Sequence, residues 1–238
     1  MIMTSTNFVD NRLQEEEQAS LNITTSVRPA KYLQPGLAAQ IEHPLRPDKP
    51  RGFVYDRYDT EFERNISFRV IEPEVDLEIF HAWQNDPLVA RFWEMAETED
   101  KLFKYLQDQQ LDPHSIGLIG YIDGEAFGYV ETYWCIEDRL GAYYDSDPYD
   151  RGWHGLTGSR KHLGRKNTLT WIKGLCHYLF MDSPNTVRLM GEPRADNLLL
   201  LRYTDQIPYR KICEFDFPHK RSALMQLERD SFFKMVQL

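Results

Sequence analysis

Residues 150–175, DRGWHGLTGSRKHLGRKNTLTWIKGL, combine a strand pattern, a glycine-bearing basic loop and a helix pattern in that order. GWHGLTG predicts a short strand, and Leu169, Ile172 and Cys176 fall on one face of the predicted helix. A helix N-terminus presents free N–H groups and a partial positive charge, which favours a phosphate group. Gly164 in the loop permits close backbone approach. The stretch therefore predicts a pyrophosphate site, with a solvent-exposed basic turn as the alternative.

Strand patterns flank this stretch on both sides. SFRVIEP comes first, and SIGLIGYI and EAFGYVETYW are joined by Asp123-Gly124, a dipeptide typical of a type I′ hairpin turn. VRLMGE, KICEFDF and SALMQLE follow. Helix patterns begin near Asp76, Thr98 and Asn197. The predicted fold class is α/β, with mixed α+β packing around one sheet.

The first 65 residues differ from the rest of the chain. Five of the 13 prolines fall between Pro29 and Pro50, where apolar periodicity is poor. We expect residues 1–65 to form an arm that is partly extended or disordered, and residues 66–238 to form the folded domain. A lid or a dimer contact is the alternative role for this arm, and we expect a monomer or a homodimer.

Composition and charge exclude several classes of protein. Lys and Arg total 28 against 37 for Asp and Glu, a net charge of -9, so we expect no nucleic-acid partner. The three cysteines, Cys135, Cys176 and Cys213, lack the spacing of a disulfide framework or a zinc site, and no histidine pair has metal spacing. There is no run of about 18 apolar residues and no secretory signal, so we expect a cytoplasmic protein without a membrane partner.

Three ionisable residues lie on or after predicted strands. His154 lies on the GWHGLTG strand, and a histidine can take up a proton near neutral pH. Glu192 and Asp196 follow the VRLMGE strand, a position typical of an active-site rim. The alternatives are a structural histidine and, for Asp196, a helix cap.

Aromatic and acidic residues accumulate in the predicted loops and in the GYVETYW strand. Aromatic walls with carboxylates suit a cationic aliphatic ligand, and the alternative is core aromatics with solvated acids. The candidate substrate-binding residues are Trp83, Trp93, Glu131, Tyr133, Trp134, Asp138 and Arg194.

Several long segments, in their order along the chain, resemble the siderophore-biosynthesis acyltransferases. The segments are HAWQNDPLVARFW, DPHSIGLIGYIDGEAFGYVETYWCIEDRL, YYDSDPYDRGWHGLTG, HYLFMDSP, RLMGEPRADN and EFDFPHKRSALM. These are enzymes of the GNAT fold that acylate N-hydroxylated lysine or diamines. The resemblance covers roughly residues 66–235 and implies a central, mostly antiparallel sheet with a splayed strand pair.

The resemblance also implies an acyl-CoA co-substrate, with acetyl-CoA the expected donor and no metal. The pantetheine arm is expected between the GWHGLTG and VRLMGE strands, and the pyrophosphate on the following helix N-terminus. Two departures from the family pattern are Lys166, where a second small residue is usual, and Thr204, where a tyrosine is usual. The implied cofactor-binding residues are Trp153, Gly155, Leu156, Thr157, Lys161, Gly164, Arg165, Lys166, Asn167, Thr168, Asn197 and Tyr203.

The resemblance assigns His154 as general base, oriented by Asp196 first and Glu192 second. The acceptor is expected to be N-hydroxyputrescine, N-hydroxycadaverine or N-hydroxylysine, with Glu131 or Asp138 meeting a far ammonium group. The acidic balance favours a diamine, because the carboxylate of lysine needs a dedicated arginine. Candidates for that arginine are Arg139, Arg194 and Arg221. Alternatives are a ribosomal-protein or aminoglycoside acetyltransferase, and a CoA-binding scaffold with weak catalysis.

Overall fold

Eight strands form one sheet in the part of the chain that the computed structural model describes, which is residues 46–198, 202–203 and 206–236. The strands are β1 (Phe53–Asp59), β2 (Arg64–Val70), β3 (Ser115–Ile122), β4 (Glu125–Trp134), β5 (Arg151–Thr157), β6 (Arg188–Gly191), β7 (Arg210–Asp216) and β8 (Arg221–Glu228). Their order across the sheet is β1-β2-β3-β4-β5-β6-β8-β7. The α-helices in this part of the chain include α1 (Pro73–Gln84), α2 (Pro87–Trp93), α3 (Glu99–Leu111), α4 (Arg165–Asp182) and α5 (Arg229–Met235).

Strands β5 and β6 form the one parallel pair in this sheet, and they separate after two paired positions. Arg151 pairs with Leu189 and Gly152 with Met190, whereas all other neighbouring strands are antiparallel. Strand β5 continues to Thr157, so one edge of its second half has no strand partner among the described residues. This confirms the predicted mostly antiparallel sheet with a splayed pair.

The helices cover both faces of the sheet. The predicted helix face of Leu169, Ile172 and Cys176 is buried and packs with Phe68 and Leu118. The opposite face forms a second apolar cluster with helices α1 and α3. Adjacent strand residues point to opposite faces of the sheet. Leu118 and the next residue of β3, Ile119, therefore belong to different clusters.

The turn and helix boundaries largely agree with the local signals in the sequence. Asp123 and Gly124 have φ values of 50° and 80°, which confirms the predicted type I′ turn between β3 and β4. Helix α1 begins earlier than expected, at Pro73 rather than after Asp76. Asp76 instead accepts hydrogen bonds from the Glu72 backbone N–H at 2.7 Å and the Arg69 guanidinium at 2.6 Å. Proline suits the first turn of a helix because that turn has no use for its missing N–H.

The expected boundary between arm and domain at residue 65 is wrong for residues 53–65. Strand β1 pairs antiparallel with β2, and a buried ion pair holds its end to α4, because Lys173 Nζ lies 3.3 Å from Asp59 Oδ2. Tyr55 also forms a hydrogen bond with His177 at 3.0 Å. The sequence prediction missed β1 because it directly follows the proline-rich stretch and its burial does not alternate along the strand. Residues 1–45 and Thr204 lie outside the described residues, as does much of the helix predicted after Asn197.

Candidate active site

A histidine and a glutamate meet at the point where β5 and β6 separate. His154 lies on β5, two residues past the last position paired with β6, and Glu192 directly follows β6. His154 Nε2 lies 2.7 Å from Glu192 Oε1, and Tyr133 donates its hydroxyl proton to Glu192 Oε2 at 2.8 Å. The Tyr133 ring also packs against His154, with ring centres 4.9 Å apart. Tyr133 therefore contacts both residues and fixes the histidine and the glutamate relative to each other.

A second glutamate faces the other nitrogen of the same histidine. Glu131 is the cross-strand partner of His154 on β4, and its Oε2 lies 3.6 Å from His154 Nδ1. Its other oxygen, Oε1, accepts hydrogen bonds from the hydroxyls of Tyr105 and Tyr129, the latter at 3.0 Å. The tyrosines hold the carboxylate, while Oε2 makes no hydrogen bond with another described residue. An acceptor and a donor thus lie side by side, 3.6 Å apart, on residues that line the same cavities.

These charges change the protonation of the histidine. Burial disfavours the charged ring, but the negative charges of Glu192 and Glu131 outweigh it and raise the pKa of His154 to about 10. Burial would raise the pKa of Glu192, yet His154 and Lys220 hold it well below its usual range. At neutral pH the pair is therefore an imidazolium and a carboxylate.

Two cavities meet at this cluster. A cleft of about 530 Å³ lies along the gap between β5 and β6, and a cavity of about 300 Å³ lies between α3 and β4. Tyr105, Glu131 and His154 line both. The smaller cavity, called the acidic cavity below, has Asp112 and Asp138 in its wall, on either side of His114, whose Nδ1 lies 2.6 Å from Asp112 and whose Nε2 lies 3.8 Å from Asp138. One ligand could therefore react beside His154 while its far end occupies the smaller cavity.

The wall of the wide cleft carries cations next to Glu192. Lys220 donates to the Glu192 backbone carbonyl at 2.8 Å, and its Nζ lies 3.7 Å from Glu192 Oε1. Arg139 Nη2 lies 3.9 Å from the same oxygen. Arg194 is also in the wall, but it is paired with Asp196 through contacts of 3.0 and 3.2 Å.

The backbone at the start of α4 can be approached closely by a ligand. Gly164 has φ of 113°, and a Cβ at that position would have no atom within 4 Å. Lys161 forms an ion pair with Glu125, and Arg165 donates to Gln206, so both cations already have partners. Lys166 is exposed and forms no ion pair within the described residues.

The predicted cofactor-binding residues occupy three kinds of location: the wall of the wide cleft, the apolar clusters, and positions outside both cavities. Trp153, Gly155 and Asn197 line the wide cleft, with the Trp153 indole donating to the Tyr209 hydroxyl at 3.0 Å. Leu156 points into the apolar cluster under α1 and α3. Tyr203 packs against the main core. Predicted residues outside both cavity linings, from the end of β5 through the intervening 3-10 turn to the start of α4, are Thr157, Lys161, Gly164, Arg165, Lys166, Asn167 and Thr168.

Five of the seven predicted substrate residues line a cavity. Trp93, Glu131 and Arg194 line the wide cleft, and Glu131, Tyr133 and Asp138 line the acidic cavity. The predictions for the other two are wrong. Trp83 is buried under Gly158, where a Cβ would lie 2.0 Å from its ring. Trp134 is on the strand face opposite Tyr133, stacked under Arg151 at 4.1 Å, because side chains alternate along a strand.

The predicted order of the two acids after β6 is also reversed. Asp196 is exposed and paired with Arg194, whereas Glu192 contacts His154. Glu192 immediately follows the short strand β6, so its side chain enters the site; Asp196 lies four residues further along, in the following turn.

Sequence reasoning missed several residues of the site. Tyr105, Lys220 and Tyr209 lie far apart in sequence and carry no local signal. Tyr129 could have been found, because it shares the strand face of Glu131 and Tyr133 by alternation. Within the described residues, no group of three or more His, Cys, Asp or Glu could hold a metal ion, and no helix is long and apolar enough to cross a membrane.

The sheet with its splayed pair and the site beside it define an acetyltransferase class. Residues 72–217 match the acetyltransferase (GNAT) domain family, and the chain belongs to this family. A solved structure of an uncharacterised protein from Bacillus halodurans superposes with a TM-score of 0.74 at 26% identity, over 79% of this chain and 95% of that chain. An aminoglycoside acetyltransferase solved with coenzyme A has the same fold, with a TM-score of 0.64, 20% identity, and coverage of 71% and 98%.

Curated relatives are more similar in sequence. The chain is 42% identical to an N(6)-hydroxylysine O-acetyltransferase of Escherichia coli over 84% of this chain and 63% of the relative. It is 37% identical to a hydroxyornithine transacylase of Ajellomyces capsulatus over 87% of this chain and 50% of the relative. The chain therefore spans between half and two thirds of the length of these relatives.

Proposed function

We propose that this chain is an acyl-CoA-dependent N-acyltransferase that converts an N-hydroxylated amine to a hydroxamate in siderophore biosynthesis. The observation that carries the proposal is the facing pair of His154 Nδ1 and Glu131 Oε2, 3.6 Å apart where two cavities meet. The names of the E. coli and Ajellomyces relatives support a hydroxylated amine as acceptor.

The acyl-CoA would lie along the free edge of β5. The backbone past Gly152 has no strand partner on that edge and could pair with the pantetheine amides as an added strand does. The pyrophosphate would lie on the first turn of α4, whose N–H groups carry the partial positive charge of the helix end. The open space over Gly164 and the exposed Lys166 fit such an anion. Coenzyme A in the solved aminoglycoside acetyltransferase supports this use of the fold.

The hydroxyl group of the acceptor decides how much proton chemistry the site must perform. N-hydroxylation lowers the basicity of an amine, so the attacking nitrogen is largely neutral at pH 7. The nitrogen attacks the thioester carbonyl carbon, the new C–N bond forms, and the C–S bond breaks as the tetrahedral intermediate collapses. The nitrogen loses one proton, and the departing thiolate takes up one proton. Orientation between the two cavities supplies much of the rate.

We assign the proton acceptor to Glu131 rather than to His154. A histidine with a pKa of about 10 is already charged at neutral pH and has no free lone pair to accept a proton. Its Nδ1–H instead donates to the oxygen that becomes negative in the transition state. Glu131 Oε2 lies 3.6 Å from this Nδ1 and takes the proton from nitrogen, before that proton passes to the thiolate. Glu192 and Tyr133 hold the ring in position.

The acidic cavity favours an acceptor with a second amine. Asp138 and Asp112 lie in its wall, and a second ammonium group buried there would need a carboxylate partner. N-hydroxyputrescine, N-hydroxycadaverine and N-hydroxylysine all carry such a group. Acetyl-CoA is the donor that we propose for this reaction.

The decisive experiment identifies the product. Wild-type protein is mixed with acetyl-CoA and N6-hydroxylysine, thiol release is followed, and the product is treated with Fe³⁺. An N-acylated product is a hydroxamate, which forms a coloured ferric complex, whereas an O-acylated product does not. Thiol release with a hydroxamate product supports the proposal. Binding of CoA without turnover of any hydroxylamine would instead indicate a scaffold, and turnover only of aminoglycosides or protein amines would indicate another acetyltransferase.

A further inference from the structure

Arg139 presents a guanidinium group to the wide cleft without a hydrogen-bonded partner among the described residues. It is half exposed and begins the short 3-10 turn Arg139–Tyr143 after β4. Its guanidinium stacks over the Phe217 ring at 5.3 Å, which limits its movement while leaving its N–H groups free. A planar guanidinium offers two parallel donors, the geometry that matches a carboxylate.

Glu192 is the acid nearest to Arg139, but its oxygens are already used. Oε1 is bound by His154 at 2.7 Å and Oε2 by Tyr133 at 2.8 Å, whereas Arg139 stays at 3.9 Å, beyond hydrogen-bond distance. Lys220 is a further cation beside the same carboxylate. Three positive groups therefore surround one carboxylate, and Glu131 offsets only one of them.

The other charges in the wall of the cleft do not supply a partner. Arg194 is neutralised by Asp196. Glu94, also in the wall, lies within 4 Å of no cation in the described part of the chain. Arg139 thus lines the cleft with donors that form no hydrogen bond to an acid among the described residues, so a negatively charged ligand can use them.

We propose that Arg139 forms a carboxylate-binding subsite beside the reacting groups, so that one substrate of the reaction carries a carboxylate. The inference rests on the proposed function, whose acyl-transfer site it deepens. Two sources share this chemistry. One is the α-carboxylate of an N-hydroxylated amino acid acceptor, and the other is the far carboxylate of a dicarboxylic acyl thioester. The first source conflicts with the diamine acceptor that the overall acidic charge favoured, and the second conflicts with acetyl-CoA as the expected donor.

Matched ligands separate these sources. N6-hydroxylysine and N-hydroxycadaverine differ by one carboxylate, and succinyl-CoA and butyryl-CoA differ by a carboxylate in place of a methyl group. Dissociation constants are measured by calorimetry for wild type, Arg139→Gln and Arg139→Lys. Arg210→Gln, on the edge strand β7 and paired with Glu228, is the control.

Wild type is expected to prefer the carboxylate-bearing member of one pair. Arg139→Gln should weaken that ligand about 10- to 100-fold, the range for a lost charge-assisted hydrogen bond, and leave its matched partner within about threefold. Arg139→Lys should restore part of the preference, and Arg210→Gln should keep all of it. The pair that responds identifies the source.

Absence of a wild-type preference in both pairs, or an equal loss on both members in Arg139→Gln, would overturn the subsite. Thiol release by wild type is measured in parallel. Turnover without any carboxylate preference would leave the proposed function intact and the subsite wrong. Carboxylate preference without turnover would support the subsite and contradict the proposed function.

Discussion

His154 Nδ1 and Glu131 Oε2 face each other across 3.6 Å, and neither atom makes a hydrogen bond with another described residue. The pairing of β4 with β5 places these two residues side by side, and both line the two cavities that meet there. A charged donor and a carboxylate acceptor side by side suit a reaction in which the attacking nitrogen loses a proton while the thioester carbonyl oxygen gains negative charge.

Replacing Glu131 by glutamine removes the proton acceptor and keeps the shape of the side chain. We expect kcat to fall about 10²–10⁴-fold, the usual contribution of general-base catalysis, with little change in the KM for acyl-CoA. The loss should be similar for N-hydroxyputrescine and for a simple N-alkylhydroxylamine, because both must lose the nitrogen proton. Thiol release gives both constants.

The matched control for this variant is Glu228→Gln, which changes an exposed carboxylate at the end of β8. It should retain wild-type kcat. If Glu131→Gln instead raised only the KM for the diamine, the carboxylate would bind the far ammonium group and would not be the base.

The rate should depend on the charge of His154. The neighbouring acids raise its pKa to about 10 from 6.5, so the folded protein holds this proton more tightly than the unfolded chain does. The resulting stability is fully present below pH 6.5 and is lost as the pH rises through about 10. If the charged ring supports catalysis, kcat should stay constant through neutral pH and fall as the pH rises through about 10.

Stopped-time assays across that range give the profile, and NMR titration of the His154 ring gives its pKa directly. His154→Gln should lower kcat about 10²–10⁴-fold and remove the alkaline fall. A wild-type rate that climbs steadily between neutral pH and pH 10 would instead identify the neutral imidazole as base.

The start of α4 should control the affinity for acyl-CoA. Removing the charges of Arg165 and Lys166 together should raise the KM for acyl-CoA, and more strongly at low salt, because ions screen exposed charges. The KM for the acceptor should change little. Lys211→Ala, an exposed cation on β7, is the control. An unchanged KM for acyl-CoA would show that this loop does not bind the pyrophosphate.

The attachment of β1 to α4 should matter for stability. Lys173 is buried against the fully buried Asp59, so Lys173→Met leaves a buried carboxylate without its cation. The free energy of unfolding should fall by about 3–5 kcal/mol, as for other broken buried pairs. Urea denaturation measures it, with exposed Lys101→Met as control. A change below about 1 kcal/mol would mean that β1 is not an integral strand.

Much of the fold was predictable because its signals are local. Asp123-Gly124 defined a hairpin, and the buried spacing of Leu169, Ile172 and Cys176 defined α4. Strand β1 was missed because it is an edge strand, with Phe53 and Tyr58 exposed, and shows little apolar alternation. Its attachment depends on Lys173, more than a hundred residues away in sequence.

The site was predictable only in part, for the same reason. His154 and Glu192 came from motifs, but the preference for Asp196 failed because sequence order does not tell which acid turns inward after β6. The prediction for Trp134 was wrong because adjacent residues of β4 point to opposite faces of the sheet, so Trp134 packs under Arg151. The partners of Glu131, and the position of Arg139 over the Phe217 ring, arise from packing between distant segments and have no local signature.

The central claim is that the site acylates a hydroxylated nitrogen rather than an ordinary amine. The measurement is kcat/KM for N6-hydroxylysine and for lysine, with acetyl-CoA, at pH 7. At that pH the protonated form of an ordinary amine, with a pKa near 10.4, exceeds the neutral form by roughly a thousandfold. The single carboxylate of Glu131 is not expected to overcome the shortage of neutral amine. We predict a preference for N6-hydroxylysine of about that size. Equal or faster turnover of lysine would contradict the account.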